Sequence, residues 1–416
     1  MLKKTIGITL FFVLSLVGYS QQIPKFEFRG AWIHTVGNQQ FKTMSTDSIK
    51  DLLCKTLDIL ETSGINAVIF QVRPQAEAFY LSQIEPWSRF LTGEQGKAPK
   101  EIWDPLEFMI IESHKRGMEL HAWCNPYRVT SNGTEQLHPN HLYFKKPELF
   151  KKYGDQLYFD PGEPEAIEHT VKVIADIVSR YDVDAIHFND NFYPYPIPFE
   201  EFHDDASFVK YAKEQGFEYW EKGDWRRNNV TTLIKAVNDT IKSIKPWVRF
   251  GISPFGIHRN LKDTPDGSGN KTNGLSNYEQ LFADVLLWEE KGWIDYNVPQ
   301  LYWEIGHPAL IPAYTNLDSI APNPVEKLKY KAGQITWKEA QTDNLMQKAQ
   351  FYAIYRFPQG IEQNIDNSEY LVKIVNENKF ILEQNEVDNA NYYYIITAID
   401  RCRNESSKSK PLKIRH

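Results

Sequence analysis

The strongest constraint on this chain is an alternation. From about residue 26 to 305, short apolar runs take turns with longer amphipathic ones. Runs at 29–36, 67–72, 119–123, 185–188, 250–253 and 297–302 read as strands. Stretches at 47–63, 105–116 and 165–180 carry apolar residues at helical spacing. Strand–helix repetition of this kind builds a parallel sheet, either closed as a barrel or open and doubly wound. The open form calls for a glycine-rich turn after an early strand, and none is present. A (β/α) barrel is therefore expected, and its chemistry belongs at the C-terminal ends of its strands.

Two other segments differ in character. Lys3 and Lys4 precede an apolar run over 6–17, and Gly18-Tyr19-Ser20 follows with small residues at its cleavage positions. Residues 1–20 are thus expected to be a signal peptide, which places the mature chain in the periplasm or outside the cell, with no membrane span after cleavage. Beyond Pro322-Asn323-Pro324 the pattern changes to period two, as in Ile335/Trp337, Tyr352/Ile354 and Tyr392/Tyr394/Ile396. That reads as a β-sandwich over 321–416. The barrel domain is expected over 21–320.

Loss of the leader shifts the net charge from −7 to −9, because Lys3 and Lys4 leave with it. An acidic chain lacks the basic footprint that nucleic acid requires, so no nucleic-acid partner is expected. Cys54, Cys124 and Cys402 are too few and too scattered for a disulfide framework or a paired-cysteine metal site. His34, His121 and His187 sit on three different strands without metal-ligand spacing, so no metal and no cofactor are expected.

The strand ends hold the candidate chemistry. Glycosidic cleavage uses two carboxyl groups, one giving a proton and the other acting as nucleophile or base. Asp190, in the loop Asn189-Asp190-Asn191-Phe192-Tyr193-Pro194-Tyr195, and Glu304, after Tyr302-Trp303, form the best-placed pair. Gln71, Arg73, Asn125 and Tyr127 offer directed donors and acceptors for sugar hydroxyls, with a structural ion pair to Glu77 or Asp190 as the competing role for Arg73. Trp123, His187, Tyr193, Gln300, Tyr302 and Trp303 complete the expected substrate-binding set, the rings serving as faces on which sugars stack.

These segments together resemble the glycosyl-hydrolase-like family 10. The matching stretches include Phe28-Arg29-Gly30-Ala31-Trp32, Phe70-Gln71-Val72-Arg73-Pro74, His121-Ala122-Trp123 and Asn125-Pro126-Tyr127-Arg128. They continue with Asp184-Ala185-Ile186-His187-Phe188, Trp225-Arg226-Arg227-Asn228-Asn229-Val230, Phe250-Gly251-Ile252-Ser253-Pro254 and Pro299-Gln300-Leu301-Tyr302-Trp303. The resemblance implies a TIM-type barrel, export to the envelope and hydrolysis of a polysaccharide, with peptidoglycan glycan strands among the substrates. Two departures stand out. The family's fourth-strand motif usually reads His-Phe-Asp-Asp-Tyr, whereas here Asn189 stands in place of the first acid. Only six strands are legible before the proline break, so the barrel is expected to be truncated after the sixth. A partner or self-association would then cover its open edge. The run from Tyr392 to Asp400 resembles the late strands of fibronectin type III domains, with Trp337 in the place of their early core tryptophan.

Overall fold

The structure, a computed structural model, describes residues 27–133, 135–267, 269–302, 321–339, 342, 347–382, 392–400 and 404–414. The expected signal peptide, Trp303 and Glu304 lie outside the described residues.

Six strands form one parallel sheet, and their order in space is their order in the chain. They are β1 (Gly30–Ile33), β2 (Ala67–Arg73), β3 (Glu119–Cys124), β4 (Ala185–Asn189), β5 (Arg249–Ser253) and β6 (Tyr296–Asn297). An unreversed order is the arrangement of a barrel wall, since a doubly wound sheet turns back at a switch point. The sixth strand begins earlier and is shorter than the sequence pattern predicts. The register slips at its end: Asp295 N donates to Phe250 O (2.7 Å) but Val298 N to Ile252 O (2.8 Å), one residue out of step, before Gln300 N donates to Pro254 O (2.9 Å).

Between the strands run α1 (Thr46–Thr62), α2 (Pro105–Lys115), α3 (Pro164–Arg180) and α4 (Lys222–Ile244). Their starts follow local chemistry. Ser45 accepts from Ser48 N at the head of α1, and Asp104 accepts from Leu106 N and Glu107 N ahead of Pro105 at the head of α2. Apolar stripes of all four helices bury against the outer face of the sheet. Val68, Phe70, Leu120, Ile186, Phe188 and Ile252 join Leu57, Met109, Ile174 and Val237 in one cluster. Each such side chain contributes about 1.5–3 kcal/mol by leaving water.

The inner face is polar and aromatic. Glu119, His121 and Trp123 share it with Ala185, His187, Asn189, Arg249, Gly251 and Ser253, as the strand registers require. Tyr296 lies across Gly251, where a Cβ would stand 1.8 Å from the ring's Cζ, so only glycine fits. Its hydroxyl meets His121 Nδ1 at 2.7 Å and His187 Nδ1 at 3.0 Å. One assignment of hydrogens satisfies every partner. The Trp32 indole donates to His187 Nε2 (3.4 Å), and His187 Nδ1–H donates to the Tyr296 oxygen. Tyr296 then donates to His121, whose Nε2–H donates to Glu119 (2.9 Å), itself paired with Arg249. Both histidines must be neutral in this chain. Burial indeed lowers both, His187 to about 3.

The C-terminal residues form two antiparallel sheets. Their strands are β7 (Glu326–Lys331), β8 (Gln334–Lys338), β9 (Phe351–Pro358), β10 (Leu371–Val375), β11 (Lys379–Ile381), β12 (Tyr392–Ile399) and β13 (Leu412–Lys413). One sheet runs β11-β8-β7 and the other β10-β9-β12-β13. Ile335 and Trp337 from the first share a buried cluster with Tyr352, Ile354, Tyr394 and Ile396 from the second. Trp337 meets Tyr352 edge-on, with ring centroids 5.2 Å apart.

The four-stranded sheet touches the barrel at the floor, where strands begin. Phe351 packs edge-on against His114 at 5.8 Å, Gln350 hydrogen-bonds to Asp184, and Lys373 pairs with Glu61 at 3.1 Å. Asp184 also binds His114 Nε2 (2.8 Å) and Leu120 N (2.7 Å). Gly117 has φ +70°, and a Cβ there would lie 2.6 Å from Ile374 O, so this turn needs glycine twice over.

Candidate active site

At the opposite end, loops after β2, β3, β4 and β6 meet around Asp190. The residue is 2% exposed. Tyr195 donates a hydrogen bond to it, Gln300 bonds to it, and Asn191 Nδ2 approaches at 3.5 Å. Burial pushes the Asp190 carboxyl above its ordinary range, against the pull of those donors and of the Arg128 guanidinium. A buried acid that keeps its proton at higher pH than usual, within reach of solvent-facing rings, is suited to protonating a leaving group.

The support for Asp190 comes from several elements. Asn125 accepts from Tyr127 N (3.3 Å) and Arg128 N (2.9 Å), which bends the chain after β3 and turns Arg128 toward the mouth. Arg128 is then anchored on Pro74 O beyond β2 (2.8 Å), and it feels the charges of both Asp190 and Glu135. Gln300 Nε2 donates to Ser253 O (3.0 Å), and its Oε1 accepts from Tyr302 (3.4 Å). Tyr302 is 85% exposed and Tyr195 47%, so two rings flank the acid with open faces.

A second feature marks the same end of the inner face. Gln71 Nε2, Trp123 Nε1, Asn125 Nδ2 and Asn189 Oδ1 are buried and make no hydrogen bond among the described residues. Buried polar atoms left without partners are uncommon, and four near one mouth ask for water or a ligand.

The remaining expected residues take other places. Gln71 Oε1 accepts from Thr35 N and Val36 N, both at 2.9 Å, and so fastens the end of β1. Arg73 is wholly buried. Its guanidinium binds Glu85 through Nε (2.8 Å) and Nη2 (2.5 Å) and donates to the carbonyls of Asn125 and Pro126. An ion pair therefore describes the geometry of Arg73, but with Glu85 in place of the expected Glu77 or Asp190: Glu77 pairs with Arg89 and Asp190 is held by Tyr195. Tyr127 is 0% exposed, and Tyr193 is packed among Phe202, Phe282 and Arg226. Neither ring presents a face to solvent. His187 belongs to the inner chain of hydrogen bonds. Sequence reasoning passed over Arg128 and Tyr195 as site residues, although both stand inside the motifs that drew attention to their neighbours. No set of three or more His, Cys, Asp or Glu side chains is placed to hold a metal ion among the described residues.

A sequential parallel wall carrying a buried acid and open rings at its C-terminal mouth defines an α/β-barrel-like fold. The chain belongs to the glycosyl hydrolase-like 10 family, whose sequence profile matches residues 27–348. It is 46% identical over 303 residues to glycosyl hydrolase YngK of Bacillus subtilis, covering 72% of this chain and 58% of that protein. It is 39% identical over 301 residues to glycosyl hydrolase DigH of Escherichia coli, covering 68% of this chain and 66% of that protein. This chain thus spans less than two thirds of either relative. Among solved structures, alpha-L-fucosidase isoenzyme 2 from Paenibacillus thiaminolyticus is similar with a TM-score of 0.38 and 14% identity, over 58% of this chain and 34% of that one.

Proposed function

We propose that this protein is an exported glycoside hydrolase that cleaves a polysaccharide, with peptidoglycan glycan strands as the substrate class. Asp190 acts as the acid/base and Glu304 supplies the second carboxyl. Gln71, Trp123, Asn125, Gln300, Tyr302 and Trp303 receive the sugar. No helix long and apolar enough to cross a membrane occurs among the described residues. The C-terminal sheets are read as a fibronectin type III-like sandwich serving as a spacer.

The observation that carries this reading is Asp190, buried at the mouth with a raised pKa and beside orphaned polar atoms. A general acid must hold its proton when the bond breaks, so cleavage should fall as pH rises through the Asp190 pKa. The test compares two substrates. Asp190→Asn should lose about 100-fold or more on glycan strands but much less on an aryl glycoside, whose leaving group departs without a proton. Equal loss on both would overturn the acid role of Asp190, and no loss on either would remove it from the chemistry.

A second reading is a glycan-binding protein without turnover. It is favoured by Asn189, an amide where the family usually has an acid. Retention of purified glycan strands with no new reducing ends would support it.

A further inference from the structure

The turn at residues 197–200, after Tyr195, holds a side chain that folding alone does not explain. Phe199 is 109% exposed, and its φ is +65°. A left-handed backbone costs a non-glycine residue about 1 kcal/mol, and an apolar ring held in water gains nothing from burial. Phe282 has a similar φ of +54°, but its ring packs on Tyr193 at 5.0 Å and over Arg226 at 5.0 Å. Phe199 has no such compensation. Glycine would be the cheaper residue for the turn.

The turn is nevertheless fixed. The Tyr153 hydroxyl accepts from Ile197 N (2.6 Å) and donates to Glu200 O (3.1 Å). The Glu200 carboxylate accepts from Gly154 N (2.7 Å), and Glu200 N donates to Ile197 O (3.1 Å). Pro198 stiffens the tip further. Tyr153 and Gly154 belong to a hairpin, residues 150–159, so the ring is mounted on a braced support rather than on a loose loop. The turn also stands close to the acid along the chain. Phe199 follows Tyr195 by four residues, and Tyr195 holds the Asp190 carboxyl.

We infer that Phe199 is a stacking platform for a sugar of an extended glycan at a distance from the bond beside Asp190. A flat ring without polar atoms meets the apolar face of a pyranose, and strain kept at an exposed aromatic tip is accounted for by a ligand. This rests on the glycan reading of the cleft, and the test separates the two.

Full-length Asp190→Asn protein is titrated calorimetrically with chitooligosaccharides of two to eight units. The longer oligomers are expected to bind more tightly than the dimer. Adding Phe199→Gly should weaken the longest about tenfold and leave the dimer unchanged, while raising the melting temperature by about 2–4 °C as strain is released. Phe199→Trp should keep the affinity for long oligomers. A structural role would move stability and affinity together, so opposite signs are the signature. Unchanged affinity for long oligomers in Phe199→Gly overturns the platform and leaves the cleft reading intact. Sedimentation showing a dimer that Phe199→Gly dissociates overturns it in favour of self-association. Failure of the parent to bind any oligomer or purified glycan strands overturns both readings.

Discussion

Replacing Asp190 by Asn removes a charge that the folded chain holds at a cost. Its raised pKa means that the unfolded chain ionises first as pH climbs, so the native state loses stability between the ordinary carboxyl pKa and the raised one. Asp190→Asn should therefore melt higher than wild type at pH 7, and the gap should close below about pH 4. Melting curves from pH 3 to 8 check this, and a lower melting point for the variant at neutral pH would count against the assignment. Tyr296 tests the opposite kind of group. Tyr296→Phe leaves His121 and His187 each with an unanswered nitrogen, and about 2–5 kcal/mol should be lost in urea titration. The His187 pKa of about 3 fixes the sign of the acid response. The unfolded chain takes up that proton near pH 6.5 and the folded one only near 3, so stability drains away as pH falls across that interval. His187→Gln should flatten that slope. At this scale the sequence was a partial guide. Strand-end position picked out Asp190 and Gln300, but Arg73 and Tyr127 share the same position and point inward, because neighbours such as Glu85 decide the direction.

At the scale of elements, periodicity was a better guide than motif. The helices expected at 47–63, 105–116 and 165–180 form within a residue or two, since an apolar stripe and a cap act over a few neighbours. The hairpin at 150–159 was not anticipated, because its strands are four residues each and the first sets two adjacent lysines between aromatics. Strand β6 is short because its register slips between Asp295 and Val298. Two substitutions probe how the elements are joined. Gly251→Ala forces Tyr296 off the inner face and should cost about 1–3 kcal/mol, and its loss should be less than additive with that of Tyr296→Ala. Glu85→Gln leaves Arg73 buried without its counter-charge, and a loss of about 3–5 kcal/mol is expected in chemical denaturation. The paired change Arg73→Met with Glu85→Leu should recover most of it. Full additivity of the single and paired losses would show that the two groups do not interact.

At the scale of the whole molecule, six strands in unbroken order are what the alternation of the sequence predicts, and no seventh occurs among the described residues. The two C-terminal sheets were legible from their period-two runs, but their attachment was not. Gln350, Phe351 and Lys373 meet the barrel through contacts far apart in the chain, which no local pattern encodes. Since they meet it where strands begin, whatever grips the C-terminal sheets holds the protein by its base and leaves the acid facing outward. Protein captured on a solid support through those sheets should process dissolved glycan at close to its free rate. Capture through the 197–200 turn should smother it.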